Sequence, residues 1–388
     1  MVKNGSLIVI INEGGVPFIK KIKVMYRLFI VMLLVCILQG CNMSEEKPIE
    51  RIVLDLDAKE QCSSGAAFDS FDYVKLEMTP ESMLTDIGKV LVGKNRIYVL
   101  PIRDARVFIF SKTGEYINSL KRGQGPGEVM FVSDMDIVND ELYVLDNYRV
   151  VRKYDSDGKY LGNVHSLEDY YCFSMKSIGG EMLFFDPYIN KRSDYMLRVM
   201  SNNEVAGNYL GKEDNLSKVS FLHYNFCNQG YISWPLSDTI YQYVDKTTIL
   251  PKYLVSFPDN SFFKLKNDKK YTGDDMCKFN QSKDYYRWLK DVVPYDEGLF
   301  LSFNYDKSYY VRYEDGNPTI YGRLLDGFPE IKRSSVGSFD NKLIYVYTAE
   351  ELLEYKENDD TKKGNEKLVD ICRTLSEDDN PVLFFMKL

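Results

Sequence analysis

Histidine is almost absent from this chain of 388 residues: His165 and His223 are the whole supply. A metal centre built from several histidines is thereby excluded, and a Ser-His-Asp triad would have to use one of these two. Neither stands near a Gly-x-Ser-x-Gly elbow, which the chain lacks. A lone histidine at a strand end reads as structural. Cysteine is scarce and scattered. Beyond Cys36 and Cys41 near the N-terminus there are Cys62, Cys172, Cys227, Cys277 and Cys372. Their odd number, wide spacing and lack of any Cys-x-x-Cys argue against a disulfide framework and a zinc site, and for small buried side chains. An excess of positive charge is also lacking. The formal net charge is -8, and beyond residue 41 there are 44 Lys and Arg against 56 Asp and Glu. Such a surface repels phosphate backbones, so no nucleic-acid partner is expected. No apolar run reaches the roughly 20 residues of a membrane-crossing helix.

Aromatic residues are plentiful, with 30 Tyr and 22 Phe against 2 Trp. Rings of this kind fit a pleated, half-buried surface and favour strands. An apolar fraction of 45% supports a sizeable core. Two stretches look like copies of one unit. Arg96-Ile97-Tyr98-Val99-Leu100, then Val107 to Phe110, then Ser111-Lys112-Thr113-Gly114 make the first. Glu141-Leu142-Tyr143-Val144-Leu145, then Val150 to Tyr154, then Asp155-Ser156-Asp157-Gly158 make the second. From Tyr98 to Tyr143 is 45 residues and from Gly114 to Gly158 is 44. Short strands and tight turns repeating at that length are the signature of a propeller blade.

The rest of the chain extends the pattern. A third unit lies within Met175 to Leu210, and a fourth is centred on Gly230 to Trp234 and Asp238 to Tyr243. A fifth contains Leu299 to Phe303 and Tyr309 to Tyr313. A sixth contains Val336 to Phe339, Leu343 to Tyr347 and Leu352 to Tyr355, with a charged loop over 356–367 and a last strand at Val382 to Met386. Residues 261–291 break the rhythm and read as a partly helical insertion. The expectation is an all-β fold, a six-bladed β-propeller over 51–388, preceded by a tether over 42–50. Strand 52–56 would close the ring by joining the strands near 343–386, because an open edge invites aggregation.

Residues 1–41 read as an address. Lys20, Lys21, Lys23 and Arg27 precede the apolar run Leu28 to Leu38, which ends at Leu38-Gln39-Gly40-Cys41. A basic stretch, a short apolar run and a small residue before the cut describe a secretory signal, with Met25 as a possible true start. Cys41 stands where bacterial lipoproteins carry their lipidated first residue. The membrane would then be met through a lipid anchor only, at the outer membrane, facing either the periplasm or the cell surface. The acidic run after Cys41 resembles surface-export signals, and equally suits a solvated tether.

Tyr73 to Glu77, Ile87-Gly88-Lys89, Arg96 to Leu100, Phe110 to Gly114, Gly123-Gln124-Gly125-Pro126-Gly127-Glu128, Asp238 to Tyr241 and Asn380 to Leu383 resemble the six-bladed β-propeller lipoproteins of Bacteroides-type bacteria. The resemblance covers nearly all of 50–388 and implies a TolB-like or NHL-like propeller. It implies a fold and an address, and no catalytic residues.

Gly123 to Gly127 lacks the Gly-Lys-Ser/Thr and helix of a phosphate loop and reads as a crossing between blades. Asp155 to Gly158 lacks the later positions of a calcium loop and reads as a hairpin turn. Topology is the better guide to a site. Numbering the strands of a blade A to D from the axis, the B–C loops and the D-to-A crossings share one face. That face is expected to carry Arg103, Asp104, Arg122, Asn147, Tyr148, Arg149, Tyr188, Asn190, Trp234 and Tyr305. Aromatic residues mixed with polar groups on loops suit recognition. The leading function is a non-catalytic binding or scaffolding lipoprotein holding a glycan, peptide or envelope protein, without a cofactor. One alternative is a propeller hydrolase or lactonase of the gluconolactonase type, using one divalent ion, calcium in the first place, near Asp86, Asp134 and Asp136. The other is a structural subunit of an envelope complex.

Overall fold

The structure, a computed structural model, describes residues 48–167, 170–186, 193–212, 225–234, 237–258, 268, 272, 275, 278, 289–330, 333–357 and 365–388. Ile49–Leu388 makes one compact unit. Three short strands come first: β1 (Glu50–Val53), β2 (Cys62–Ser63) and β3 (Phe71–Lys75). The first blade is β4 (Lys89–Val92), β5 (Arg96–Leu100), β6 (Phe108–Ser111) and β7 (Tyr116–Ser119). The second is β8 (Val132–Val138), β9 (Glu141–Asp146), β10 (Val150–Tyr154) and β11 (Tyr160–Ser166). The third is β12 (Ser174–Ile178), β13 (Glu181–Phe185), β14 (Tyr195–Ser201) and β15 (Glu204–Gly211). The fourth is β16 (Cys227–Asn228), β17 (Tyr231–Ile232), β18 (Thr239–Asp245) and β19 (Thr248–Ser256), and the fifth β20 (Leu289–Tyr295), β21 (Gly298–Asn304), β22 (Ser308–Glu314) and β23 (Asn317–Tyr321). The sixth takes β24 (Gly337–Phe339), β25 (Lys342–Tyr347) and β26 (Val382–Lys387) from the C-terminal part and β3 from the other end of the unit. The fold is a six-bladed propeller, mostly β.

The strand periodicity explains the packing. Successive side chains of a strand point to opposite faces, and each blade is covered on both faces by its neighbours. In β5, Ile97 and Val99 join the core shared with the sixth blade, beside Ile344 and Val346. Tyr98 and Leu100 join the core shared with the second, beside Met135 and Val144. Continuous apolar runs therefore suit the middle strands, whereas the outer strand β11 has no buried residue. Eight of the connections between neighbouring strands of a blade are two-residue hairpin turns. Asn139-Asp140, Asn202-Asn203 and Asp340-Asn341 hold both residues at φ between 50° and 66°. Two left-handed residues give a turn whose twist matches the strands, which is why Asn, Asp and Gly fill these places.

Ring closure differs from the expectation. β3 pairs antiparallel with β26, Phe71 opposite Met386 and Lys75 opposite Val382. β1 instead adds a fifth, parallel strand to the outer edge of the fourth blade, with Ile52 opposite Val255. β2 does the same on the fifth blade. The segment before the first blade thus runs along the outside of three blades. Strand pattern marked these residues as extended but carries no partner.

Leu352 to Tyr355, expected as strand, lies in helix α1 (Ala349–Glu357), and the expected charged loop over 356–367 ends inside helix α2 (Glu366–Arg373). A capping box starts α1: Thr348 N–H donates to Glu351 Oε2 at 2.9 Å and Glu351 N–H to Thr348 Oγ1 at 3.1 Å. Leu368, Ile371 and Cys372 form the buried face of α2. Most of the 261–291 insertion lies outside the described residues. Asp275 and Lys278 are helical, Thr272 and Asp275 exchange cap bonds, and 289–291 begin β20.

Candidate functional site

The propeller has two unlike ends. Short A–B and C–D turns make one face. B–C loops, blade crossings and the two helices make the other. The inner strands line the axis between them, and each has one edge without a strand partner. Side chains from the neighbouring blade satisfy these edges. Asp134 on β8 accepts from Met175 N–H on β12 at 2.8 Å, and Asp136 from Ser177 N–H at 2.7 Å. Asn228 on β16 donates to Val292 O on β20 at 2.8 Å, and Asp291 accepts from Ser335 N–H at 2.9 Å just before β24. Lys89 Nζ meets Asp134 at 2.7 Å and Lys176 Nζ meets Asp136 at 2.8 Å. These four backbone groups are thus bonded instead of orphaned.

These contacts decide what Asp86, Asp134 and Asp136 can do. The oxygens of Asp134 and Asp136 face ammonium groups and amide hydrogens. Asp86 sits with the B–C loop, accepting from Ile102 N–H and Arg103 N–H at 3.1 and 3.3 Å. Among the described residues no three His, Cys, Asp or Glu side chains gather where they could hold a metal. His165 is on the outer strand β11, its imidazole packed edge-to-face on Phe184, and burial lowers its pKa. His223 lies outside the described residues. Cys172, Cys227 and Cys372 are buried and Cys62 exposed, all four as thiols outside any disulfide; Cys277 lies outside the described residues.

The expected site residues fall into three groups. Cys41, Tyr188 and Asn190 lie outside the described residues. Asn147, Tyr148 and Arg149 come together in the second-blade B–C turn. Tyr148 is held left-handed at φ 62°, next to Asn147 at 50°. A bulky residue there costs about 1–3 kcal/mol. Its ring is packed between Phe131 and Phe173, at 5.2 and 4.8 Å, and the Arg149 guanidinium lies 3.6 Å from the Tyr171 ring. Phe131, Tyr171 and Phe173 were not read as site residues. The signal for two of them was present, since Phe131 and Phe173 both stand immediately before an inner strand. The third group is spread out. Arg103 is 85% exposed and 3.3 Å from Asp86. Asp104 is bonded to Arg106. Arg122 is exposed, in a loop where Glu128 accepts from Gly125 N–H at 2.8 Å. That loop supplies its own carboxylate to its amides. Tyr305 is half-buried in the fifth-blade turn. Trp234 is 5% exposed and stacks on Tyr241 at 5.6 Å. Its ring also lies 6.4 Å from that of Phe185 in the core, so it offers the face little surface.

One buried carboxyl on this side has a pH consequence. Asp186 is fully buried, its Oδ2 2.5 Å from Lys212 Nζ, and its Oδ1 has no hydrogen-bond partner among the described residues. Burial pushes its pKa up from 3.8 to about 6, with Lys212 pulling the other way. The folded state therefore holds this proton more tightly than the unfolded chain. Its contribution to stability is complete below about pH 4 and is lost as pH rises to about 6. Relative to an Asp186→Asn, Lys212→Met variant, the protein is expected to lose about 2 kcal/mol between pH 4 and pH 7. Urea unfolding of both proteins across that range checks it; a constant difference would refute it.

At the short-turn end the axis widens into a cavity of about 360 Å³, with Lys89, Lys176, Asn228, Gln229, Ser338 and Phe339 in its wall. Among the described residues no helix is long and apolar enough to cross a membrane. A family model described as a domain of unknown function, DUF4934, matches residues 51–387. The fold is similar to that of a Bacteroides fragilis protein inferred to be exported. The TM-score is 0.70 at 18% identity, over 87% of this chain and 99% of that one. A member of the DUF4221 family from Bacteroides vulgatus aligns at TM-score 0.44 and 10% identity, over 82% and 96%. No curated protein matches the sequence.

Proposed function

The chain belongs to the DUF4934 family, and on that premise we propose that it is an exported binding protein that holds a protein partner on its crossing face. The observation that carries this is the aromatic row Phe131–Tyr148–Phe173, kept in place by a left-handed tyrosine, beside Arg149 on Tyr171. Around it the same face exposes Met83 (62%), Ile102 (45%) and Met130 (45%), together with Arg103. Aromatic, Met and Arg side chains are the composition of energetic hot spots. A glycan or a short peptide held on the same face is the competing reading. The reading assigns no chemistry, in keeping with the engaged oxygens of Asp134 and Asp136. Lipid anchoring through Cys41 at the outer membrane and a TolB-like or NHL-like lineage belong to the same proposal, supported by residues 20–41 and by the export inferred for the Bacteroides fragilis protein.

Photo-crosslinking in the native envelope tests it. Probes at positions 103 and 130 are expected to trap one discrete protein, and a probe at the exposed Leu161 on β11 is not. Arg103→Glu and Met130→Asp should each weaken capture about tenfold with the melting temperature unchanged. No capture from 103 and 130, or equal capture from 161, would overturn the face. In the same strain Cys41→Ala should lose its fatty-acid label and wash off membranes; a retained label would end the anchoring proposal.

A further inference from the structure

We infer that the short-turn mouth of the central channel is a binding site for a small neutral polyhydroxylated ligand, a free sugar or the end of a sugar chain. The site lies at the opposite end of the molecule from the crossing face, so each proposal can fail without the other. The A–B hairpins of several blades surround it: Asn228 and Gln229 at the end of β16, and Ser338, Phe339 and Asp340 at the end of β24, stand around a cavity of about 360 Å³. That is within the size range of small-molecule sites.

The chemistry of the wall selects the ligand class. Lys89 and Lys176 reach the cavity, and among the described residues each ammonium bonds only its carboxylate, Asp134 or Asp136. An ammonium has three N–H donors, so two on each lysine remain for a ligand. The charge, however, is already met. Lys342, also in the wall, is paired with Asp72 at 2.7 Å, and Asp340 stands at the rim. Three cations face three paired carboxylates and a further acid. An anionic ligand would gain no net attraction, and would have to draw the lysines away from buried carboxylates. Acceptors are present too. Gln229 donates through Nε2 to Pro294 O at 3.4 Å, which leaves its carbonyl oxygen for a ligand donor. Hydroxyl groups both donate and accept, and so match a wall of mixed donors and acceptors. The apolar share of the wall comes from Leu91, Val293, Pro294 and Phe339, a residue 39% exposed whose ring has the Lys112 ammonium 4.6 Å from its centroid. A sugar offers its C–H face to such a strip.

Calorimetric titration of the full mature chain tests this, with a panel of neutral mono- and disaccharides and with glucuronate and inorganic phosphate alongside. At least one neutral saccharide is expected to bind saturably at one site per chain, and more tightly than either anion. Ser338→Trp, which fills the mouth, and Phe339→Ala, which removes the ring, should each weaken binding about tenfold or more. Both are read at unchanged melting temperature, and where one variant does not fold the other decides. No saturable binding of any neutral saccharide up to about 10 mM would overturn the inference. So would tighter binding of phosphate or glucuronate, or an affinity unmoved by the substitutions.

Discussion

A chain shortened to begin at Leu76 is expected to lose cooperative folding. It lacks β3, and with it the outer strand of the sixth blade, which otherwise joins the two ends of the ring. Five residues pair with β26, and their ladder bonds contribute roughly 0.5–1.5 kcal/mol each. Phe71 is 5% exposed and packs on Phe328 and Phe384 at 4.9 and 5.5 Å. Losing such a ring costs about 3–5 kcal/mol. The same cut removes Phe68, 1% exposed, and Ile52 and Leu54, both 0% exposed. Together these exceed the roughly 5–15 kcal/mol that holds a typical domain folded. A milder cut separates closure from burial. Starting the chain at Ala58 removes β1 but keeps β3, so the midpoint should fall while the transition stays cooperative. Urea unfolding followed by near-ultraviolet circular dichroism measures both. A chain starting at Leu76 that unfolds cooperatively at the full-length midpoint would show that β3 does not close the ring.

The second large effect is expected at the axis. Asp134→Ala should cost about 3–5 kcal/mol, the usual penalty for stranding one partner of a buried pair. Its carboxylate and Lys89 have side chains 6% and 10% exposed. Asp134 also receives Met135 N–H and Met175 N–H at 2.8 Å each, so its removal orphans an ammonium and two amides at once. Lys89→Met is the informative contrast. It takes away the cation but leaves the carboxylate its two amide bonds, and the loss should be clearly smaller. Equal losses for the two variants, measured by chemical denaturation, would mean that the amide bonds to Asp134 contribute nothing.

Much of this architecture was legible in the order of residues. The 44- and 45-residue spacing, the apolar runs at 96–100 and 141–145 and the Asn, Asp and Gly pairs between them are local facts. Strand period and left-handed turns act over a few residues, so a sequence can state them. The capping box at Thr348 and Glu351 was equally local, and it marked a helix where strand was expected. The candidate face was half legible. Topology brings Asn147, Tyr148 and Arg149 to the crossing face. It does not say that Phe131 and Phe173 clasp Tyr148, or that Trp234 turns inward.

The sequence by itself determined a repeated β unit, its turns and a basic-then-apolar N-terminal segment, because each is specified by neighbours along the chain. Tertiary structure alone decided that Phe71–Lys75 closes the ring while Glu50–Val53 lies along another blade. It alone set Lys89 against Asp134, 45 positions away, and gathered Lys89, Lys176, Asn228 and Ser338 from four blades around one cavity. Those outcomes depend on which edges and faces meet across the ring, and strand pairing depends on geometry that a one-dimensional pattern of apolar and polar residues does not carry.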